Sequence, residues 1–488
     1  MKKFFVYIAI ILLFGFSKSF ADGLTIYFNY AVFADENGSP YIETYLSIPQ
    51  HQLKHIEAEN GMFYSELSVS LIFKRNDTIM DFAKYSLNSG YTSDTVNINK
   101  NIIDQQRLFL DNGNYILELN ISDKNNKVSS IHGATEVVVE IPKDDLSIST
   151  ITFVDKLTKV KEKSILTKVG YDMLPYFTIF YPDSRNVLNF YAEIYNLEKT
   201  IPNGSDIIVY YLIENYEIPG SYINDASKFS KLKSSHVVPL LQNIDLSEVP
   251  SGNYNLVVKV KDSKGNDVLI EKKFFQRENL DPKFDNSSYY AVNEQQTFVS
   301  KFTDIDSLRY MIKSFTPKST ELERHFIYKI DSIKDINILQ NFVYKFWNDR
   351  YSINAENKLN EYLKQVEKVE EVYSNNIRHG FETDRGRVYL KYGAPNHVHR
   401  NQISSATIPF EIWQYYQLPD GQRNKRFVFA TPDLALKDFD LIHSDVVGEL
   451  NNPKWQYDLH LNAPIIDDNL IYEEMWGSRI QEYYEDPR

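Results

Sequence analysis

The 488-residue chain has no cysteine, a formal charge of −13 and an unusual wealth of Tyr (35) and Phe (30). The missing cysteine excludes disulfides, thiol nucleophiles, thiolate-bound zinc and a lipid-modified cysteine anchor. The acidic balance argues against nucleic acid and anionic membrane as partners, since both need clustered Lys and Arg.

At the N-terminus, Lys2 and Lys3 precede an almost wholly apolar run, residues 4–16, and Ser19-Phe20-Ala21 offers small residues at the positions a signal peptidase reads. This pattern predicts an exported protein, cleaved after Ala21 so that the mature protein begins at Asp22. The other reading of the run is an anchor helix that stays uncut. No later segment approaches the roughly 20 apolar residues of a membrane-spanning helix. The expected location is therefore the periplasm, the outer-membrane surface or the medium.

Residues 22–145 show short apolar–polar alternations broken by Asn, Asp and Gly, as at 24–32, 41–48, 66–73, 115–121 and 136–141. Strands at this spacing predict an antiparallel β-sandwich. Residues 146–276 repeat the texture, and an internal repeat ties the two stretches together. Gly113-Asn-Tyr115 and Gly252-Asn-Tyr254 each enter an alternating strand that ends in Asp before a polar turn. Period two places Tyr115, Leu117 and Leu119 on one face, and Tyr254, Leu256, Val258 and Val260 on the matching face. The expectation is two Ig-like modules of one design.

Residues 277–297 are polar and without period, and read as a linker. The remainder, 298–488, changes character. Ile338, Leu339, Phe342, Val343, Phe346 and Trp347 recur at three- to four-residue spacing, as do Leu359, Tyr362, Leu363, Val366, Val369 and Val372. Both runs predict amphipathic helices, with shorter ones over 307–315 and 320–330. After Gly380 the alternation of Val388, Leu390 and Tyr392 predicts a strand over 387–392. Residues 411–416 and 426–430 flank Pro419-Asp420-Gly421, whose turn chemistry predicts a hairpin. Helices followed by strands make an α+β domain, so the whole protein is expected to be mostly β and multidomain.

The run Gly380-Phe-Glu-Thr-Asp-Arg-Gly-Arg-Val-Tyr-Leu-Lys-Tyr-Gly-Ala-Pro395 resembles the signature of the GWxTD domain family, named for a Gly-Trp-X-Thr-Asp motif. Lys345-Phe-Trp-Asn-Asp-Arg350, Phe410-Glu-Ile-Trp413, Leu441-Ile-His-Ser444, Gly448-Glu449 and Asn452-Pro453 extend the resemblance over the last third of the sequence. Phe381 stands where the family motif has Trp, which keeps an aromatic ring and loses the indole N–H. The resemblance implies an exported protein of the Bacteroidetes–Chlorobi type. It implies no reaction.

Gly380, Phe381, Thr383, Asp384, Arg385, Gly386, Arg387, Tyr392, Trp413 and His443 are the candidate interaction residues. Asp384 with the neighbouring arginines suits an anionic group or a partner's carboxylate, Arg offering a two-pronged fork. The competing reading makes the cluster a structural turn before a strand, with Gly386 permitting the turn and Asp384 bonding its backbone. His397 and His399 could form a metal pair if His443 or His379 supplied a third ligand. No nucleophile elbow, His-Glu-x-x-His helix, phosphate-cradling loop or dinucleotide fingerprint occurs, so no catalytic residue, metal or cofactor is assigned. The expected function is binding or assembly through another envelope protein. A carbohydrate- or peptide-processing hydrolase, with paired carboxylates in the C-terminal domain, is the alternative.

Overall fold

The computed structural model describes residues 24–95, 98, 100–126, 130–160, 162, 167–279, 297–402, 407–432, 438–452, 455–459 and 480–485. The expected leader and residues 280–296 of the expected linker lie outside them.

Seven strands build the first sandwich: β1 (Tyr27–Ala34), β2 (Pro40–Pro49), β3 (Glu66–Arg75), β4 (Thr78–Asn88), β5 (Asn101–Phe109), β6 (Gly113–Asp123) and β7 (Ser130–Val139). They form two antiparallel sheets ordered β1-β2-β5 and β4-β3-β6-β7. The second sandwich comprises β8 (Thr152–Lys159), β9 (Tyr171–Pro175), β10 (Val187–Tyr195), β11 (Asp206–Asn215), β12 (Lys228–Lys233), β13 (Val237–Asp245), β14 (Gly252–Lys261) and β15 (Asp267–Arg277). Its sheets run β8-β10-β13 and β12-β11-β14-β15, a strand-for-strand copy of the first, with β9 added outside β8.

The repeated Gly-Asn-Tyr opens the same strand in both copies. In β6, Tyr115, Leu117, Leu119 and Ile121 are buried while Ile116 between them is exposed, as period two demands. In β14 the matching residues Tyr254, Leu256, Val258 and Val260 are buried, and so is Val257 on the other face. The Tyr115 hydroxyl donates back to the Asp111 carbonyl at 2.6 Å. This is a tyrosine corner, a bond that locks the crossing into the central strand of a Greek-key sandwich. Gly113 takes φ 155°, which residues with a side chain rarely adopt, and the Arg75 guanidinium lies over the Tyr115 ring.

The sandwiches are joined by more than a connection. Phe33, Tyr41 and Tyr45 of the first pack with Val154, Met173 and Tyr191 of the second. Within this contact the buried carboxylate of Glu43 meets Arg107 at 2.6 Å and Lys168 at 3.2 Å. At the far end of the second sandwich, Arg277 is buried and donates to the carbonyls of Pro182 and Arg185. The first residues of the expected linker therefore belong to the sandwich.

The C-terminal unit starts with helices α1 (Ile305–Lys313), α2 (Glu321–Tyr328), α3 (Ile336–Tyr351), α4 (Ala355–Tyr373) and α5 (Asp384–Tyr392). A four-stranded antiparallel meander follows: β16 (His397–Asn401), β17 (Phe410–Gln417), β18 (Arg423–Ala430) and β19 (Asp440–Ser444). Trp413, Tyr415, Phe427 and Phe429 point from one sheet face into the helical core around Phe315, Phe342, Phe346 and Trp347. Ile412 and Val428 on the other face pack against α6 (Trp455–Leu459) and α7 (Ile480–Glu485). The expected hairpin is β17–β18. The stripe on α4 ends before Val372, which is 52% exposed.

One expectation fails outright: residues 387–392 are helix, not strand. The Thr383 hydroxyl caps α5 by accepting from the Gly386 N–H at 3.2 Å, and Gly393 at φ 90° ends it. Arg385, Val388, Tyr389 and Tyr392, at helical spacing, are all buried. The alternation of Val388, Leu390 and Tyr392 was a coincidence of a helix buried on most of its surface. Among the described residues no helix is long and apolar enough to cross a membrane.

Candidate functional site

The motif is a packing device. Gly380 and Gly386 let α4, a 3₁₀ turn over Gly380–Glu382 and α5 cross in close contact. A Cβ on Gly386 would stand 1.8 Å from the Gly380 carbonyl oxygen, and one on Gly380 would stand 2.3 Å from that of Val369. Gly386 thus serves closeness inside a helix rather than a turn. Phe381 is buried, stacked on His379 and edge-on to Tyr310. Thr383 also donates to the Gly380 carbonyl at 2.8 Å. Asp384 accepts from the Leu441 N–H at 2.7 Å, so it ties α5 to β19 and not to its own turn.

The two arginines each reach a buried carboxylate from the sheet side of the unit. Arg385 lies across the Phe439 ring, with Nη1 3.3 Å from Glu411. Glu411 also accepts from the Arg400 Nε at 3.2 Å and the Trp413 indole N–H at 3.0 Å. Arg387 approaches both oxygens of Glu449, at 3.1 and 2.9 Å, and Lys391 and the Tyr392 hydroxyl each donate to it at 2.8 Å. Burial alone would raise the Glu449 carboxyl, but the charges of Lys391 and Arg387 outweigh it and hold the group at about 2. Neither glutamate was among the candidate residues. Both lie in stretches that carry the family resemblance, Phe410-Glu-Ile-Trp413 and Gly448-Glu449, and an acid inside an otherwise apolar strand such as β17 was the available signal.

His443 is buried against Trp455, its Nδ1 accepting from the Asn452 N–H and its Nε2 3.1 Å from the Tyr484 hydroxyl. Burial pulls it down to about 4 and keeps it neutral. His399 stacks on Tyr483, His397 lies against Tyr416, and His379 bonds Glu370. Their separate partners leave the proposed pair without a third ligand, and among the described residues no three His, Asp or Glu side chains meet as a metal set.

Beside the motif, a cleft opens between the second sandwich and the C-terminal unit. Its two connected chambers, of about 310 and 520 Å³, share Lys318, Tyr351, Lys391, Tyr392 and Pro419. The sandwich contributes Tyr216, Glu217 and Pro219, and the Tyr216 hydroxyl bonds Asp420 across the gap. Tyr351 stacks on Trp347 within the wall. The backbone then leaves α3 through Ser352 at φ 47°, ψ −120°, a strained conformation for a residue with a side chain. Tyr392 alone of the candidate residues reaches this cleft, and the cleft brings together residues from five regions that no sequence motif links.

Fold and site together define a class: a tandem β-sandwich protein that ends in a helix-and-sheet unit braced by buried ion pairs. Residues 284–453 match the sequence model of the GWxTD domain family, and this part of the chain is a GWxTD domain. No curated protein matches it. Among solved structures, it is similar to a glycosyl hydrolase family 2 member from Bacteroides cellulosilyticus at 12% identity and TM-score 0.19, covering 49% of this chain and 27% of that one. Dimeric latent PorU from Porphyromonas gingivalis matches at 15% identity and TM-score 0.22, over 55% of this chain and 21% of that one. Fibronectin(III)-like modules of CbhA from Clostridium thermocellum match at 11% identity and TM-score 0.14, over 53% of this chain and 100% of that one. The matched region thus spans about a quarter of the length of the first two.

Proposed function

We propose that this protein is an exported binding or assembly protein of the cell envelope or the medium. In this reading residues 22–145 and 146–276 are sandwich modules that carry the C-terminal unit and hold one wall of its binding cleft. The partner is another envelope protein. The observation that carries the reading is the division of labour around α5. The motif's polar groups are engaged with partners inside the unit, while the surface left open beside them is a cleft whose lining sets Tyr216, Tyr351, Tyr392 and three prolines among charged residues. Aromatic walls supply large contact area at little cost in side-chain entropy, which suits recognition.

Crosslinking followed by pull-down from native envelope tests this, with the wild-type protein compared with Tyr351→Ala. A partner enriched by wild type and lost in the variant is the expected result. Equal recovery by both proteins would remove the cleft from the interaction. For export, intact-mass measurement of the native protein should place its N-terminus at Asp22; retention of Met1 would overturn cleavage. One observation favours a second reading, the hydrolase. Glu217, raised by burial, lines the cleft with Asp420. Turnover of a glycoside or peptide substrate that disappears in Glu217→Gln would select it over binding.

A further inference from the structure

Among the described residues, the wall shared by the two chambers contains a partly buried cation with no acid beside it. Lys318 borders both chambers, and its ammonium has a single hydrogen bond, a long one of 3.4 Å to the Lys391 carbonyl. Its charged neighbours do not answer it. Arg350 is committed to Glu323 through two bonds of 2.9 and 2.7 Å, and Lys391 to Glu449. Among the described residues no carboxylate comes within ion-pair distance of Lys318, although most basic side chains around it have found one. Burial, with the charges of Arg350 and Lys391, pulls the Lys318 ammonium down to about 8. A partly buried ammonium, crowded by other cations and given no counter-charge by the described residues, is complementary to an anion from outside.

The remaining walls narrow the choice of anion. Tyr351, Tyr392 and Pro419 are largely apolar surfaces, suited to a ligand with an organic body rather than a free inorganic ion. Glu217 of the sandwich and Asp420 of the β17–β18 turn already accept from Asn253 and Tyr216, but each carboxylate has acceptor positions left for a further N–H donor, and both would repel a doubly charged phosphate. One negative charge near Lys318 and N–H groups toward Glu217 describe a peptide segment bearing a carboxylate.

We infer that the cleft binds a peptide segment of a partner protein through a carboxylate placed on Lys318, with Glu217 and Asp420 receiving N–H donors of the same segment. This rests on the reading of the molecule as a binding protein and supplies the chemistry of what it binds. The carboxylate has two possible sources, the terminal α-carboxylate of the partner or one of its Asp or Glu side groups.

The test uses the full-length protein with its lysines dimethylated by ¹³C, so that Lys318 reports directly by NMR, its signal assigned from Lys318→Gln. Three acetylated tyrosine- and proline-containing hexapeptides are added: one with a free C-terminus and no acidic residue, one amidated with an internal Glu, and one amidated and neutral. Expected is a shift of the Lys318 signal with at least one carboxylate peptide and none with the neutral one; which of the first two binds identifies the source. Affinity should fall at least tenfold in Lys318→Gln and stay within twofold in Lys358→Gln, whose side chain at the cleft is already paired with Glu361 at 2.7 Å. Equal binding of the neutral peptide, equal losses in the two variants, or tighter binding of inorganic phosphate than of either carboxylate peptide would overturn the inference. In the pull-down, a partner retained equally by wild type and Lys318→Gln would refute the carboxylate site and leave the binding reading intact. Carboxylate peptides that bind at Lys318, with no partner recovered by wild type, would count against the binding reading and leave the site standing.

Discussion

The sandwiches and the C-terminal unit attach their elements to one another differently. In the tandem sandwiches, backbone ladders join the strands directly, and the buried Glu43 sits at the contact between modules with Arg107 and Lys168. In the C-terminal unit, Glu411 and Glu449 lie inside the unit and hold α5 to segments 26 to 62 residues away in sequence. A helix spends its backbone hydrogen bonds on itself, so it cannot be attached to a sheet edge by a ladder. Side chains must make the connection, and charged pairs with full hydrogen bonding do it directionally. The family motif is thus mainly a set of braces, and Lys318 is conspicuous because it has none.

The sharpest way to break the contrast is steric. Gly386→Val should prevent α5 from docking, because even a Cβ meets the Gly380 carbonyl and Val369. The expected cost is about 3 kcal/mol or more. Hydrogen-exchange mass spectrometry should show protection lost across the C-terminal unit and kept in β1–β7. Protection that survives in α3–α5 would mean the glycine contact is not required.

Next in size is Glu449→Ala, which strands the charges of Arg387 and Lys391 and should cost roughly 3–5 kcal/mol. The same group sets an acid limit. Its folded value of about 2 lies below the ordinary 4.5. The stability it confers is therefore complete above about pH 4.5 and is lost as pH falls toward 2, on the order of 3 kcal/mol in total. Glu449→Gln should flatten that part of the stability–pH curve, as measured by denaturant unfolding at a series of pH values. An unchanged slope would assign the acid sensitivity to other groups.

A smaller loss is expected from Asp384→Ala. It leaves the Leu441 N–H without its partner and should cost roughly 1–3 kcal/mol. If the variant keeps full stability yet loses the captured partner, the residue is an interaction group and not a brace. The mildest change is Tyr115→Phe in the first sandwich, which removes the hydroxyl that donates to the Asp111 carbonyl and accepts from the part-exposed Arg75 guanidinium, and should cost about 1 kcal/mol. Its effect should stay within that sandwich. A loss as large as that of Glu449→Ala would erase the distinction between ladder-held and brace-held regions.

The sequence alone determined the sandwich modules, the matching of their Gly-Asn-Tyr strands and the long helices α3 and α4. These depend on period two or period 3.6 within a single segment, which short-range order records. It also marked the Gly380–Pro395 run as special. Only the tertiary structure decided that α5 is a helix, since Val388, Leu390 and Tyr392 satisfy both periods once most of a helix is buried. The cap at Thr383 and the helical spacing of Arg385, Val388, Tyr389 and Tyr392 were present in the sequence and outweighed by the alternation. The partners of Arg385 and Arg387, the joining of Tyr216 to Asp420 and the isolation of Lys318 could not be read from any local pattern. Each depends on residues tens to hundreds of positions apart, whose meeting is set by how the packed units close on one another.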